Sequence, residues 1–167
     1  MTCALNPTDC DNSKYADDFT HTCVAKGTCS VNQFSSDATM TCENECPDGT
    51  FADESTMHCE SGCSGSYFAD PGINKCVQVC YTQDLFADVS SGNLCVARCS
   101  QSGSTPFRDN STKTCVSTCP SNPDTFSDVY EESCVYNCSI GLYKDDLSIP
   151  SDKRCVDKCV SPNWGDN

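Results

Sequence analysis

Cysteine carries most of the reactive chemistry in this sequence, since 18 of its 167 residues are cysteine. A thiol can form a disulfide, bind a soft metal ion or act as a nucleophile. From Cys42 onward the cysteines come in pairs with three residues between the two members. All nine pairs are Cys3/Cys10, Cys23/Cys29, Cys42/Cys46, Cys59/Cys63, Cys76/Cys80, Cys95/Cys99, Cys115/Cys119, Cys134/Cys138 and Cys155/Cys159. An even count at this density predicts a disulfide scaffold in an extracellular or cell-surface protein.

An aromatic residue, followed two positions later by aspartate, stands after each cysteine pair. The aromatic positions are Tyr15, Phe34, Phe51, Phe68, Phe86, Phe107, Phe126, Tyr143 and Trp164. Only the second copy departs from this spacing, because FSSD places Asp37 three positions after Phe34. We expect each aspartate to accept the backbone N–H two residues further on and so to fix a turn. We expect each ring to lie over the disulfide of its own repeat or of the next.

Together these features define a tandem repeat with a period of 17 to 21 residues. We treat residues 1–167 as a single array, with units at 3–22, 23–41, 42–58, 59–75, 76–94, 95–114, 115–133 and 134–154, and an incomplete unit at 155–167. No segment has a sustained 3.6-residue apolar period, and the short aromatic segments have the character of brief strands. We therefore predict a small disulfide-rich fold of loops and short β-hairpins, arranged as an elongated rod of nine tandem repeats without a long helix.

The composition limits the classes of partner. A net charge of −14 disfavours nucleic acid and anionic membrane surfaces. The apolar stretches are far too short to span a bilayer, so we predict no membrane insertion. A chain this poor in large apolar residues cannot be held by a core alone. We therefore expect no folded state under strong reduction.

Cysteine spacing alone does not determine the disulfide pairing, and three schemes fit this pattern. The first joins the second cysteine of one pair to the first of the next, the second joins the two members of a pair, and the third interlocks two repeats. We favour the first, because it is the same at every step and closes each loop that carries an aromatic residue. Its bonds are Cys10–Cys23, Cys29–Cys42, Cys46–Cys59, Cys63–Cys76, Cys80–Cys95, Cys99–Cys115, Cys119–Cys134 and Cys138–Cys155.

The favoured scheme leaves Cys3 and Cys159 over, at opposite ends of the sequence. We expect that Cys159 of one chain bonds Cys3 of the next, or that the repeats continue in a longer chain. Head-to-tail contacts that do not close by rotation generate filaments. The predicted partner is therefore a further copy of the same chain.

The sequence favours neither metal–thiolate binding nor catalysis. Structural zinc sites group their cysteines closely, often with histidine, whereas these pairs are evenly distributed and only His21 and His58 are present. We expect both histidines to be exposed loop residues. Acidic pairs at Asp17-Asp18, Asp53-Glu54 and Asp145-Asp146 offer oxygen ligands of the kind that calcium binds, and calcium is the alternative that they leave open. No D-x-D-x-D-G calcium loop accompanies them, so we expect turn or surface roles. We predict no enzyme, no catalytic residue, no metal and no cofactor.

Two sequons for N-linked glycosylation are present, Asn110-Ser-Thr and Asn137-Cys-Ser. We predict that the protein carries N-linked glycan. Asn110 lies in a long loop and is the accessible candidate. In the second sequon Cys138 lies between the asparagine and the hydroxyl residue, so disulfide formation competes with modification of Asn137.

The stretch CVSTCPSNPDTFSDVYEESCVYNC, from Cys115 to Cys138, resembles the furin-like, growth-factor-receptor-type cysteine-rich repeats found in surface proteins of protists. The paired cysteines, the prolines that follow some pairs (Pro47, Pro120) and the aromatic-x-Asp motif match in kind over essentially the whole chain. The resemblance implies rod-like stacks of small disulfide-closed modules on extracellular proteins. It implies no catalytic residues.

The sequence thus predicts an extracellular structural protein, a cysteine-rich repeat rod that forms a surface coat, stalk or filament and polymerises head to tail. The alternative is the ectodomain of a cysteine-rich receptor or adhesin. Such a protein would bind a protein or glycan through its variable loops, of which Cys99–Cys115 and Cys138–Cys155 are the longest.

Overall fold

The computed structural model describes residues 7–80, 82, 84–99, 104–122, 124–145 and 153–158. These residues form a 3₁₀ turn at Pro7–Asp9 and sixteen strands of three residues each. The strands are β1 Tyr15–Asp17, β2 Thr22–Val24, β3 Phe34–Ser36, β4 Thr41–Glu43, β5 Phe51–Asp53, β6 His58–Glu60, β7 Phe68–Asp70, β8 Lys75–Val77, β9 Phe86–Asp88, β10 Leu94–Val96, β11 Phe107–Asp109, β12 Thr114–Val116, β13 Phe126–Asp128, β14 Ser133–Val135, β15 Tyr143–Asp145 and β16 Arg154–Val156. The predicted disulfide-rich fold of short hairpins without a long helix is confirmed. Among the described residues, no helix has the length and apolarity needed to cross a membrane.

Each hairpin follows directly from the repeat motif. The aromatic-x-Asp segment is the first strand, and the second strand is centred on a cysteine. In β1 and β2, for example, Ala16 lies opposite Cys23 and Tyr15 lies opposite Val24. The valine that often follows this cysteine therefore packs across the hairpin from the aromatic residue, and such cross-strand pairs are the unit of sheet stabilisation.

The described residues belong to two compact units. The first comprises Met1–Thr82 with Asn93–Cys95, and the second comprises Gln83–Gly92 with Val96–Asn167. The strand order in the first is β10-β7-β8-β5-β6-β3-β4-β1-β2, and in the second it is β15-β16-β13-β14-β11-β12-β9. Within each unit, antiparallel hairpins alternate with parallel contacts between neighbouring repeats.

The parallel contacts have one register. The first strand of a repeat pairs with the second strand of the following repeat, through the middle residue of the former and the first residue of the latter. Ala16 lies opposite Thr41, Ala69 opposite Leu94, and Ser127 opposite Arg154. A middle residue that is small and buried, such as alanine at 0–3% exposure in β1, β5, β7 and β9, allows this close approach of the backbones.

Candidate functional site: the junction between repeats

A backbone hydrogen bond joins each repeat to the next. The middle residue of the first strand donates its N–H to the carbonyl of the residue that precedes the second strand of the following repeat. The seven donor–acceptor pairs, at 2.8–3.1 Å, are Ala16–Met40, Ser35–Met57, Ala52–Asn74, Ala69–Asn93, Ala87–Lys113, Arg108–Glu132 and Ser127–Lys153.

In six of these seven bonds the acceptor residue has a left-handed backbone. Its φ lies between 50° and 60° in the residues Met40, Met57, Asn74, Asn93, Lys113 and Glu132. For an L-residue this conformation costs about 1–2 kcal/mol relative to the right-handed one. The left-handed turn aims the carbonyl at the neighbouring repeat, so the junction hydrogen bond offsets a local strain.

The repeated aspartate closes the turn after the first strand, as predicted. In six repeats one carboxylate oxygen accepts the backbone N–H two residues further on, at 2.8–2.9 Å. These aspartates are Asp17, Asp53, Asp70, Asp88, Asp109 and Asp128, and none is more than 8% exposed. A buried carboxylate is tolerated at these positions because several donors satisfy it.

Four of these carboxylates also reach the next repeat. Asp17 accepts both the N–H and the hydroxyl of Ser30, at 3.1 and 2.7 Å. Asp70 accepts the hydroxyl of Thr82, and Asp128 accepts the N–H of Ser139 at 2.8 Å. The fourth is Asp88. These aspartates therefore join neighbouring repeats as well as closing their own turns.

Asp88 is the clearest example of how hydrogen bonds stabilise a buried carboxylate at the junction. Its Oδ1 accepts the Ser90 N–H at 2.9 Å and the Thr105 hydroxyl at 3.0 Å, and its Oδ2 accepts the Ser91 hydroxyl at 2.6 Å. Burial of Asp88 opposes ionisation, but these hydrogen bonds outweigh it and hold the pKa of the carboxyl below its ordinary value. The same balance lowers the pKa of Asp17, Asp109 and Asp128.

The aromatic residue packs on the disulfide of the following repeat. Phe34 lies in one hydrophobic cluster with Cys46 and Cys59, and in the next repeat Phe51 lies in a cluster with Cys63 and Cys76. In the second unit, Phe86 lies in a hydrophobic cluster with Cys99 and Cys115. The rings at most 7% exposed are Tyr15, Phe34, Phe51, Phe86 and Phe126.

The remaining aromatic positions differ in burial. Phe68 and Phe107 are half-buried. Tyr143 is 58% exposed, so its ring is less buried than the rings of the other described repeats. Trp164 lies outside the described residues. Lysines cover two of the buried rings, with Lys113 Nζ 5.0 Å from the centroid of Phe86 and two lysines within 5.7 Å of Phe126.

The described residues contain eight disulfides, which are the eight bonds of the scheme favoured from the sequence: Cys10–Cys23, Cys29–Cys42, Cys46–Cys59, Cys63–Cys76, Cys80–Cys95, Cys99–Cys115, Cys119–Cys134 and Cys138–Cys155. Their Cα–Cα distances of 5.5–5.7 Å are usual for a disulfide. Cys3 and Cys159, the proposed intermolecular pair, lie outside the described residues, as do residues 100–103 and 146–152 of the two longest loops.

The second repeat replaces the aspartate by Ser36. The Ser36 hydroxyl is buried and has no hydrogen-bond partner among the described residues. Polar groups gather beside it instead: Ser35 Oγ lies 2.7 Å from His58 Nδ1, and His58 Nε2 lies 3.3 Å from Asp37 Oδ2. This cluster was not predictable from the sequence, because its members come from two repeats.

The order hydroxyl, imidazole, carboxylate is also that of a hydrolase triad, but its setting here is structural. Ser35 is 0% exposed and His58 is 1% exposed, so the hydroxyl does not face a substrate. Ser35 Oγ also accepts the Gly27 N–H at 2.9 Å. The expectation that His58 is an exposed loop residue is wrong: it begins β6 and is buried against the preceding repeat. His21 is exposed.

Asp37 completes this cluster at the surface. Its carboxylate accepts the Tyr15 hydroxyl, and the Lys26 ammonium lies 4.0 Å away. The hydrogen bond from Tyr15 lowers the pKa of Asp37 despite partial burial. Burial, together with this hydrogen bond, raises the pKa of Tyr15 to about 12. The cluster therefore replaces the missing aspartate with a second means of joining neighbouring repeats.

Within the described ranges, no group of three or more His, Cys, Asp or Glu side chains is placed to hold a metal ion. Asp53 of the acidic pair Asp53-Glu54 is one of the turn aspartates, and Asp146 lies outside the described residues. The sequon residues Asn110 and Asn137 are both exposed.

In comparisons with known proteins, no protein-family model, no curated protein and no solved structure matches the chain. The repeated disulfide-closed hairpins by themselves indicate an extracellular structural or binding protein.

Proposed function

We propose that this protein is an extracellular structural component, an array of disulfide-closed hairpins that serves in a surface coat, stalk or filament. The observation that carries the proposal is the single register of the junction, which recurs seven times with the same N–H to carbonyl hydrogen bond. Repeats joined in one way can be added without redesigning the fold, as in other solenoid and repeat arrays.

The distribution of polar groups supports a structural role. The buried aspartates are distributed one to a repeat rather than grouped around one cavity. In four of them, Asp17, Asp88, Asp109 and Asp128, hydrogen bonds hold the pKa of the carboxyl below its ordinary value. Perturbed acids at an active site would converge on a substrate. Here each acid is occupied by turn and junction donors, so its chemistry is used in holding the chain together. We therefore propose no catalytic activity.

We further propose that copies of the chain associate head to tail, through a disulfide between Cys159 of one copy and Cys3 of the next. The support is arithmetical: eight bonds use 16 of the 18 cysteines, which leaves these two. The partner would then be the protein itself, with no nucleic acid involved. The resemblance to furin-like surface repeats fits the same role.

The test is the state of the protein after secretion from an oxidising host. We expect intact mass and sedimentation velocity under non-reducing conditions to show disulfide-linked multimers, and negative-stain images to show filaments of constant width. The double variant Cys3→Ser/Cys159→Ser should abolish the multimers. The matched control Cys46→Ser/Cys59→Ser, which removes an internal disulfide, should retain them.

A monomer without linked species would contradict the head-to-tail proposal. A monomer that bound a protein or glycan partner tightly would favour the second function, a receptor or adhesin ectodomain. Deletion of residues 59–75 separates an array from a unique binding domain. We expect this deletion to leave a folded protein with one disulfide fewer, since the junctions on either side are alike. Loss of all protected amides would contradict the array.

A further inference from the structure

Two sequons meet in one cavity of the second unit. Strands β11 and β14 are parallel, with Arg108 opposite Ser133, so the segments that leave them run side by side. A cavity of about 390 Å³ between these segments is lined by Asn110 and Asn137, the two sequon asparagines, and by Tyr136. Neither the junction nor the disulfide framework explains an exposed tyrosine at this place.

We propose that Asn110 carries the N-linked glycan of this region, that its first sugar packs in the cavity against the ring of Tyr136, and that Asn137 stays unmodified. The proposal rests on the extracellular location in the proposed function, because N-glycan transfer occurs on secretory proteins. It goes beyond that function by assigning a modification site and its docking surface.

The sequon at Asn110 lies at the protein surface. Asn110, Ser111 and Thr112 are all exposed, in the turn that follows β11. In the folded protein the Thr112 hydroxyl donates to Asp109 Oδ2 at 2.8 Å. Transfer to Asn110 therefore takes place before this turn closes, when the hydroxyl is free.

The transfer itself uses a lipid-linked oligosaccharide pyrophosphate, supplied by the secretory pathway. A bond forms between the Asn110 side-chain nitrogen and the anomeric carbon of the sugar. The bond from that carbon to the pyrophosphate oxygen breaks, the lipid pyrophosphate leaves, and the amide nitrogen releases a proton. The sugar is then fixed beside the cavity as the turn closes.

The sequon at Asn137 is held at each of its three positions. Asn137 Oδ1 accepts a hydrogen bond from Lys144 Nζ at 3.1 Å, and Cys138 is bonded to Cys155. Ser139 donates its N–H to Asp128, which is fully buried. Buried carboxylates hold both sequons in the folded protein, since Asp109 accepts hydrogen bonds from Ser111 and Thr112. The difference is covalent: folding of this repeat also fixes the middle residue of the Asn137 sequon in a disulfide, whereas the Asn110 sequon has serine at that position.

Tyr136 supplies the surface on which the sugar packs. Its side chain is 61% exposed, although it immediately follows a strand. The C–H face of a sugar is apolar and the ring face carries partial negative charge, so stacking removes apolar area from water while the sugar hydroxyls stay hydrated. Tyr130, which is 73% exposed in the same unit and does not line the cavity, is the matched control.

The first experiment locates the glycan. The chain is secreted from eukaryotic cells and its glycopeptides are identified by mass spectrometry. We expect one N-glycan, lost in Asn110→Gln and retained in Asn137→Gln. A glycan at Asn137, alone or with Asn110, overturns the proposal. Secreted, disulfide-bonded protein without glycan overturns it while leaving the proposed function intact. Protein that stays in the cell with free thiols overturns both.

The second experiment tests the docking surface by proton NMR of the glycosylated protein. We expect the N-acetyl methyl signal of the first sugar to shift upfield in the wild type through the ring current of Tyr136. The shift should vanish in Tyr136→Ala and persist in Tyr130→Ala. An N-acetyl signal at its solvent-exposed position in the wild type, or an equal change in both variants, overturns the contact.

Discussion

Replacement of Asp88 by alanine should open one junction and leave the others closed. The carboxylate is 0% exposed and accepts hydrogen bonds from Ser90, Ser91 and Thr105. A hydrogen bond to a charged group contributes about 1.5–3 kcal/mol. The hydrogen bonds from the Ser90 N–H and the Thr105 hydroxyl together contribute about 3–6 kcal/mol to the stability of the junction. In the variant, water replaces part of this contribution because both residues lie near the surface. We expect a local loss of about 2–4 kcal/mol.

The assay is hydrogen exchange of the Ala87 amide, which donates to Lys113 O at 2.8 Å across this junction. A loss of about 2–4 kcal/mol corresponds to exchange about 30- to 700-fold faster. The Ser127 amide, which donates to Lys153 O at another junction of the same unit, should keep its rate. The control Asp157→Ala, at an exposed acid, should leave both amides unchanged.

The stability that Asp88 contributes to the junction depends on pH, and the direction of this dependence follows from its lowered pKa. Because folding lowers the pKa of Asp88, its contribution is fully present above the ordinary carboxyl value of 3.8 and is lost as the pH falls through the lowered value. Protection factors of the wild type and Asp88→Ala should thus differ at pH 7 and converge in strong acid. A difference under threefold at pH 7, or one of equal size in strong acid, would refute the reasoning.

Three further changes test other parts of the junction. Phe126→Ala should cost about 3–5 kcal/mol because the ring is 4% exposed, whereas Tyr143→Ala at 58% exposure should cost under about 1 kcal/mol; a similar loss in thermal denaturation would contradict this. Asn93→Ile, at φ 60°, should cost about 1–2 kcal/mol and Asn93→Gly much less, and equal guanidinium midpoints would disprove a backbone origin. Removing the Cys119–Cys134 bridge, of sequence separation 15, by double serine substitution should cost about 3 kcal/mol locally, and unchanged amide exchange in that repeat would count against the bridge as its support.

The hairpins were predictable because their determinants repeat and are local. The aromatic-x-Asp segment and the cysteine recur at fixed offsets, so strand positions and the turn role of the aspartate followed from the pattern. The aspartate that closes a turn needs only the residue two positions on, as with Asp109 and Ser111. Interactions of such short range depend only on residues that are close together in the sequence.

The junction was not predictable in the same way. The left-handed residue stands two positions before the first cysteine of a pair, yet it is Met57, Asn74, Lys113 or Glu132 in different repeats. Its backbone carbonyl makes the contact, and a carbonyl is common to all residue types. Only the fixed offset from the cysteine could have revealed it.

By itself, the sequence determined the repeat, its hairpins and the need for disulfides, because periodic cysteines in a chain with few large apolar residues leave no other means of closure. The tertiary structure decided which groups meet across repeats: Thr105 with Asp88, His58 with Ser35, and two sequons in one cavity. Those contacts join residues 17 to 27 positions apart through parallel strand pairing. Such a register depends on the backbone geometry of both strands at once, and no local pattern encodes it.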